Sequence, residues 1–236
     1  MLVATKKSTV VNKALSIIDK SLNRIPKIEK VNTYHNKDGV NKKAARKLMV
    51  KYILSSKVDG LVPTLPHIEC AIETKLLSKN KNLSFIGVER ELATYEEMKK
   101  TIKSNKLPIE PFFGDMGTQL YGKFENTYAH LILDYCGMLP TFAKELEYSV
   151  RNNIVKVNGI IAMTFAKPIR GNGQMFDYVK SLGMTISNNE ADNRCMSDKA
   201  TEAYFNKITG FNYTFVEMFN YMDTYPMTLV ILRRDK

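Results

Sequence analysis

The ten residues YAHLILDYCG, Tyr128 to Gly137, run apolar around one histidine and then break off in Asp134-Tyr135-Cys136-Gly137. A short apolar run closed by turn-forming residues is the pattern of a parallel strand buried on both faces, with its polar groups delivered at the carboxyl end. In open α/β sheets, ligands bind in the crevice outside those carboxyl ends, so Asp134, Tyr135 and Cys136 stand where a site is expected. His130, inside the run, reads as a hydrogen-bonded core histidine.

The flanking sequence fits such a sheet. Gly60 to Thr64 is a short apolar strand, and the Pro63-Thr64-Leu65-Pro66 turn leads into a helix over His67 to Lys79. LSFIGVE, Leu83 to Glu89, is a second strand ending in an acid, followed by a helix over Thr94 to Ser104. PFFGD, Pro111 to Asp115, is a third strand ending in an acid, and Tyr128 to Tyr135 is the fourth. A helix over Thr141 to Asn153, a fifth strand over Asn158 to Lys167 and a helix over Gln174 to Leu182 continue the alternation. Strands alternating with helices imply a parallel, doubly wound sheet with right-handed crossovers. Asn212 to Met222 and Met227 to Arg233, joined by Asp223-Thr224-Tyr225-Pro226, depart from it and read as a hairpin closing the sheet. The expected fold class is therefore α/β, a seven-stranded doubly wound sheet with an antiparallel C-terminal hairpin.

A chain of 236 residues with 44% hydrophobic content buries a sizeable core, most simply one α/β domain with an appendage. No apolar run approaches the ~20 residues a membrane helix needs, and the start, MLVATKKST, lacks a signal-peptide core, so an intracellular, cytoplasmic protein without a membrane partner is expected. Cys70, Cys136 and Cys195 are odd in number and widely spaced, which suits neither a disulfide framework nor a zinc site; no metal is expected.

The net charge of +11 is concentrated at one end: Met1 to Lys57 holds fourteen Lys and Arg against three Asp and Glu, while the remainder is balanced. A neutral body with a basic arm is the electrostatic footprint of a polyanion binder, because Lys and Arg near phosphates release counterions. The expected division is a basic arm over residues 1–40, with a short amphipathic helix from Ser8 to Leu22 and a loop from Arg24 to Gly39, and an α/β domain over 41–236. A helix over Asn41 to Ser56 places Ala44, Ala45, Leu48, Met49, Tyr52 and Ile53 on one side and Lys42, Lys43, Arg46, Lys47 and Lys51 on the other. That basic face is expected at the mouth of a substrate cleft and, with Lys167 and Arg170 in the loop after the fifth strand, to bind nucleic acid.

This order of elements, with acids ending the second and third strands and a polar tetrad after the fourth, resembles the class I S-adenosylmethionine-dependent methyltransferases over Asn41 to the carboxyl terminus. The resemblance implies that Glu89 in FIGVERE binds the ribose hydroxyls of S-adenosylmethionine, that Asp115 in FFGDMG lies near the adenine amine, and that Asp134-Tyr135-Cys136-Gly137 lies beside the methyl donor and target atom. A carboxylate can accept both ribose hydroxyl hydrogens, and an apolar wall such as Phe112 and Phe113 can hold a purine. The family's first loop is usually rich in glycine, which lets backbone approach the cofactor. Here Leu65 and Pro66 stand in its place, as in phage-type and other divergent members, with Glu69 or Glu73 to face the donor's amino acid part.

Methyl transfer depends mainly on alignment. For an exocyclic amine, Asp134 would accept a hydrogen and Tyr135 would stack on the base, although the family's amine methylases usually carry an Asp/Asn-Pro-Pro-aromatic string and DYCG lacks both prolines. Cys136 would permit carbon-5 pyrimidine methylation through a thiolate, though no neighbouring cation in sequence activates it. Three readings stand: a nucleic-acid methyltransferase, a protein that kept the fold without catalysis as a structural subunit of a viral or nucleic-acid-processing assembly, and a small-molecule or protein methyltransferase. The abundance of Lys, Asn and Ile fits an AT-rich genome, whether phage, virus or low-GC bacterium.

Overall fold

A computed structural model describes residues 40–65, 80, 82–167, 180, 183, 198–210, 212–223 and 225–236. The expected arm, the helices over 67–79 and 174–182, and the segments carrying Pro66, Glu69 and Arg170 lie outside the described residues. Helix α1 spans Val40–Ser56 and leads into β1, Gly60–Leu65. Next come β2 (Leu83–Glu89), α2 (Leu92–Ser104), β3 (Ile109–Phe113), α3 (Met116–Leu120), β4 (Leu131–Met138) and α4 (Leu139–Arg151). The chain continues with β5 (Ile160–Ala166), α5 (Asp198–Thr209), β6 (Tyr213–Met222) and β7 (Pro226–Arg234).

The strands form one sheet in the order β3-β2-β1-β4-β5-β7-β6. The first five are parallel, β7 runs antiparallel to β5, and β6 antiparallel to β7. The seven-stranded sheet with its terminal hairpin is the architecture expected. The order reverses between β1 and β4, where Thr64 pairs with Ile132 and Leu65 with Leu133, and the crevice at that reversal opens at the strands' carboxyl ends.

Alternation along the central strands feeds two cores. Leu131 and Leu133 of β4 and Ile161, Met163 and Phe165 of β5 pack with Leu146, Tyr204 and Phe205 from α4 and α5. Ile132, Ile160 and Ala162 face the other way, toward Ala45, Met49 and Ile53 of α1 and Met98 and Ile102 of α2. Two of the boundary differences from expectation bear on the site. β3 ends at Phe113, because Gly114 turns the chain, so Asp115 is not a strand residue but precedes α3. β4 starts at Leu131, Tyr128 making only an isolated bridge to Val155, and it runs through the whole polar tetrad. Among the described residues no helix is long and apolar enough to cross a membrane.

His130 pins the start of β4 to its neighbours. It is fully buried; its Nδ1 accepts from the Ile160 N–H at 3.0 Å, so the proton sits on Nε2, which donates to the Val58 carbonyl at 3.1 Å. Burial pushes the imidazole down to about 4, against the pull of the Val58 carbonyl and Asp59. The unfolded state therefore takes up this proton first as pH falls. Stability from the neutral ring is complete above about pH 6.5 and is lost on the way down to 4, up to about 3 kcal/mol in all. Urea denaturation at stepped pH should show this loss in the wild type, and a His130→Asn variant, weaker at pH 7, should have a correspondingly flatter profile.

Candidate functional site at the carboxyl edge of the sheet

Glu89 ends β2, one strand away from the reversal of strand order between β1 and β4. Its side chain is 8% exposed, and Oε1 accepts the Glu91 N–H at 2.8 Å. Among the described residues Oε2 has no hydrogen-bond partner. Next to it the Gly114 N–H donates to the Glu89 carbonyl at 2.9 Å. Gly114 has φ +153°, and a Cβ there would come within 2.7 Å of the Phe112 ring, so glycine is what lets the chain turn and present Asp115. Asp115 is exposed and lies 3.5 Å from Arg90, a loose surface pair. Phe112 and Phe113 do not form one wall, since adjacent strand residues face opposite ways. Phe112 joins the α4-side core, and Phe113 is half exposed beside the Tyr95 ring of α2, at 5.2 Å.

The tetrad of β4 is a bulge. Asp134 pairs with Thr164 and Met138 with Ala166, so β4 advances four residues where β5 advances two. Its two leading side chains go to opposite faces. Asp134, half-buried, faces α1, and its Oδ1 accepts a hydrogen bond from Thr164 Oγ1; among the described residues Oδ2 has no partner. Tyr135 faces α4 and is 4% exposed. Its ring is stacked on Phe142 at 3.8 Å and its hydroxyl donates to Glu145 Oε2. Burial and the Glu145 carboxyl push the Tyr135 phenol up, and burial likewise raises Glu145, against its bonds from Tyr135 and the Gly117 N–H. The ring expected to stack on a base is thus stacked within the protein. The sequence reading did not single out Glu145, although it lies ten residues after Tyr135, on the face of α4 toward the sheet.

The α1 cations divide into two stripes of i, i+4 spacing. Lys43, Lys47 and Lys51 are exposed, whereas Lys42 and Arg46 are half-buried. Lys42 Nζ donates to Asp223 Oδ2 at 3.0 Å, in the turn between β6 and β7. Burial works against its charge, but the Asp223 bond and the attraction of Asp134 and Asp223 outweigh it and hold the ammonium above the ordinary lysine value. Tyr221 is 6% exposed, and burial raises its phenol well above the ordinary tyrosine value. Thr164, Tyr221 and Asp223 were not anticipated; their signal is the polar interruption of the apolar run IIAMTFA and of the hairpin. Lys167 is half-buried, its N–H donating to the Pro226 carbonyl. Leu65 is the last residue of β1, beside the reversal of strand order.

No protein-family model matches this sequence, and no curated relative does. Solved structures are similar in fold. A Staphylococcus aureus protein designated a caffeoyl-CoA O-methyltransferase has 14% identity and a TM-score of 0.50, over 94% of this chain and 91% of its own. An Escherichia coli protein designated the methyltransferase yhhF has 8% identity and a TM-score of 0.53, over 86% and 90%. TYW2 from P. horikoshii, solved in complex with MeSAdo, has 15% identity and a TM-score of 0.51, over 82% of this chain and 62% of its own. The chain has the class I methyltransferase fold.

The tetrad geometry makes a stability prediction. A Cβ on Gly137 would come within 2.7 Å of the Phe142 ring, which is held against Tyr135. Gly137→Ala should cost about 1–3 kcal/mol by urea denaturation, and Tyr135→Phe about 1–2 kcal/mol through the lost bond to Glu145.

Proposed function

We propose that this chain is an S-adenosylmethionine-dependent methyltransferase acting on nucleic acid. The observation that carries the reading is Glu89: a nearly buried carboxyl at the second strand's tip, held through one oxygen by backbone and offering the other beside the point where strand order reverses. That arrangement suits a vicinal diol. Glu89 would take the ribose, Asp115 the adenine side with Phe113 against the ring, and the segment following Leu65 the amino acid part. Bound there, S-adenosylmethionine supplies the methyl group. TYW2, which shares the fold, was solved in complex with MeSAdo, which supports the reading that this fold takes such a ligand.

The chain's own contribution is alignment. Asp134, on the neighbouring strand tip, accepts a hydrogen from the target through Oδ2, while Tyr135 braces β4 against α4 and leaves target contact to Asp134. The exposed stripe of Lys43, Lys47 and Lys51 and the +11 net charge supply phosphate contacts, joined by Lys167 after the fifth strand.

One feature favours a second reading. From Leu65 to Lys79 the sequence holds no glycine, so the first loop lacks the residue that usually admits the cofactor, and a fold kept without catalysis as a nucleic-acid-binding or structural subunit remains the competitor. Calorimetry separates the two. The methyl donor should bind the wild type, and Glu89→Gln should weaken it by about tenfold or more with the fold intact by circular dichroism; no heat from the wild type would leave the non-catalytic reading. Affinity for single-stranded RNA or DNA should fall steeply with salt, and neutralising Lys43 and Lys47 together should flatten the log–log slope by about 1.4. A salt-independent affinity would remove nucleic acid as the partner.

A further inference from the structure

The two edges of the sheet are built differently. β3, at one end, is five residues long, contains Pro111 and exposes Glu110; a missing N–H and a charge both discourage a further strand. β6, at the other end, is ten residues long and has no proline, lysine or arginine. Its register with β7 slips between Phe215 and Glu217, which twists the first part of the edge aside, but from Glu217 to Met222 the pairing is regular. Among the described residues no strand pairs with its outer side. An edge strand leaves alternate backbone N–H and C=O groups pointing outward, so a long stretch without charges is a template for another strand. Glu217, the one charge in β6, is already bonded to the Tyr52 hydroxyl.

The sequence of the regular stretch says which strand that is. Met218-Phe219-Asn220-Tyr221-Met222 reads nearly the same in both directions, an aromatic standing on each side of Asn220 and a methionine beyond each aromatic. Antiparallel pairing reverses one strand against the other, and residues directly opposite share a face of the sheet. We propose that β6 pairs with β6 of a second copy of this chain about a two-fold axis through Asn220. Met218 then lies opposite Met222 of the second copy, Phe219 opposite its Tyr221, and Asn220 opposite its own counterpart. The Phe219 and Tyr221 rings, stacked at 6.2 Å within one copy, become a row of four across the axis on the α1 face. Met222, 50% exposed in the single chain, gains an apolar neighbour. The interface is isologous, the form that closes as a dimer. One strand pair buries little area, so the dimer is weak, with a Kd on the order of 10 µM. Because the axis stands normal to the sheet, both α1 helices lie on one face of a continuous sheet. This inference goes beyond the transferase reading and does not depend on it.

Sedimentation velocity of the full chain over a concentration series should show a monomer–dimer equilibrium. Both copies are basic, so screening should strengthen the dimer as salt rises, the opposite of an interface built on ion pairs. Hydrogen exchange at the outward amides between Met218 and Met222 should slow as concentration increases. Asn220→Lys and Asn220→Asp should each weaken the dimer about tenfold or more, because each sets like charges opposite one another on the axis; an equimolar mixture of the two should recover it as a heterodimer. Only an axis through residue 220 gives that recovery. Met222→Glu, at an exposed position, should also weaken the dimer and supplies a second variant if either Asn220 substitution fails to fold by circular dichroism. A monomer at every concentration up to about 1 mM, exchange in β6 that ignores concentration, a dimer that survives Asn220→Lys, or a Lys and Asp mixture that stays monomeric overturns the proposal.

Discussion

The mismatch between β4 and β5 shapes everything at the carboxyl edge. Up to Asp134 the two strands are in register; between Asp134 and Met138 they part, and they meet again two residues further along β5. A regular strand would carry its ladder straight through the tetrad and keep all four residues pleated against the sheet. The bulge makes Asp134 the last residue in step, which is why its carboxyl lies opposite Thr164. It also turns the chain into α4, whose first turns supply Phe142 and Glu145 to Tyr135. Gly137 has no side chain because the Phe142 ring occupies that space. The tetrad is thus a joint with one arm in each core, and its two leading residues have separate tasks.

The carboxyl groups around this joint can be told apart by how many donors the protein commits to them. Taking a carboxylate out of water costs several kcal/mol unless its oxygens are bonded, and each bond to a charged group returns about 1.5–3 kcal/mol. Glu145 takes the Tyr135 hydroxyl on Oε2. Arg234, at the opposite end of the sheet, shows saturation in a cation: it is 2% exposed and bonds Glu125, Asn126 and the carbonyls of Asn153, Val155 and Lys236. Glu89 and Asp134 differ, since each gives one oxygen to the protein and keeps one back. Among the described residues that incomplete satisfaction recurs at the tips of β2 and β4, on either side of β1, and sets these two carboxyls apart from Glu145 and Arg234.

The sheet was legible because its signals are local. Apolar runs of strand length, each followed by a helical period, set the element order, and the order set the topology. LSFIGVE was read to the residue, since its apolar content stops at Glu89. Where the sequence misled, the determinant was contact at a distance. The expected strand end at Asp115 ignored Gly114, whose positive φ breaks the chain first. Tyr135 looked available because nothing near it in sequence shows Phe142 folding back. The helix over Asp198–Thr209 was missed although Thr201, Tyr204, Phe205 and Ile208 lie at helical spacing; the polar run before it drew attention away. Thr164 could not have been tied to Asp134 from sequence, because only strand register sets it opposite β4.

The splitting of the α1 cations connects site and surface. A helix turns 100° per residue, so Lys42 with Arg46 and Lys43 with Lys47 lie on adjacent stripes. Tyr52, whose hydroxyl donates to Glu217 at 2.9 Å, and Lys42, bonded to Asp223, fasten the inner stripe to β6 and its turn at two points ten residues apart. The outer stripe therefore has a fixed height above the crevice. A polyanion lying along Lys43, Lys47 and Lys51 would run beside the wall that holds Asp134 in place, with register set by the helix rather than by flexible side chains. Moving α1 would disturb both stripes together, whereas neutralising the outer lysines would leave the Lys42–Asp223 and Tyr52–Glu217 bonds in place. The sequence run NKKAARK thus puts two sets of cations on one helix, one fastened to the β6 turn and one exposed, and the 3.6-residue period is what keeps them apart.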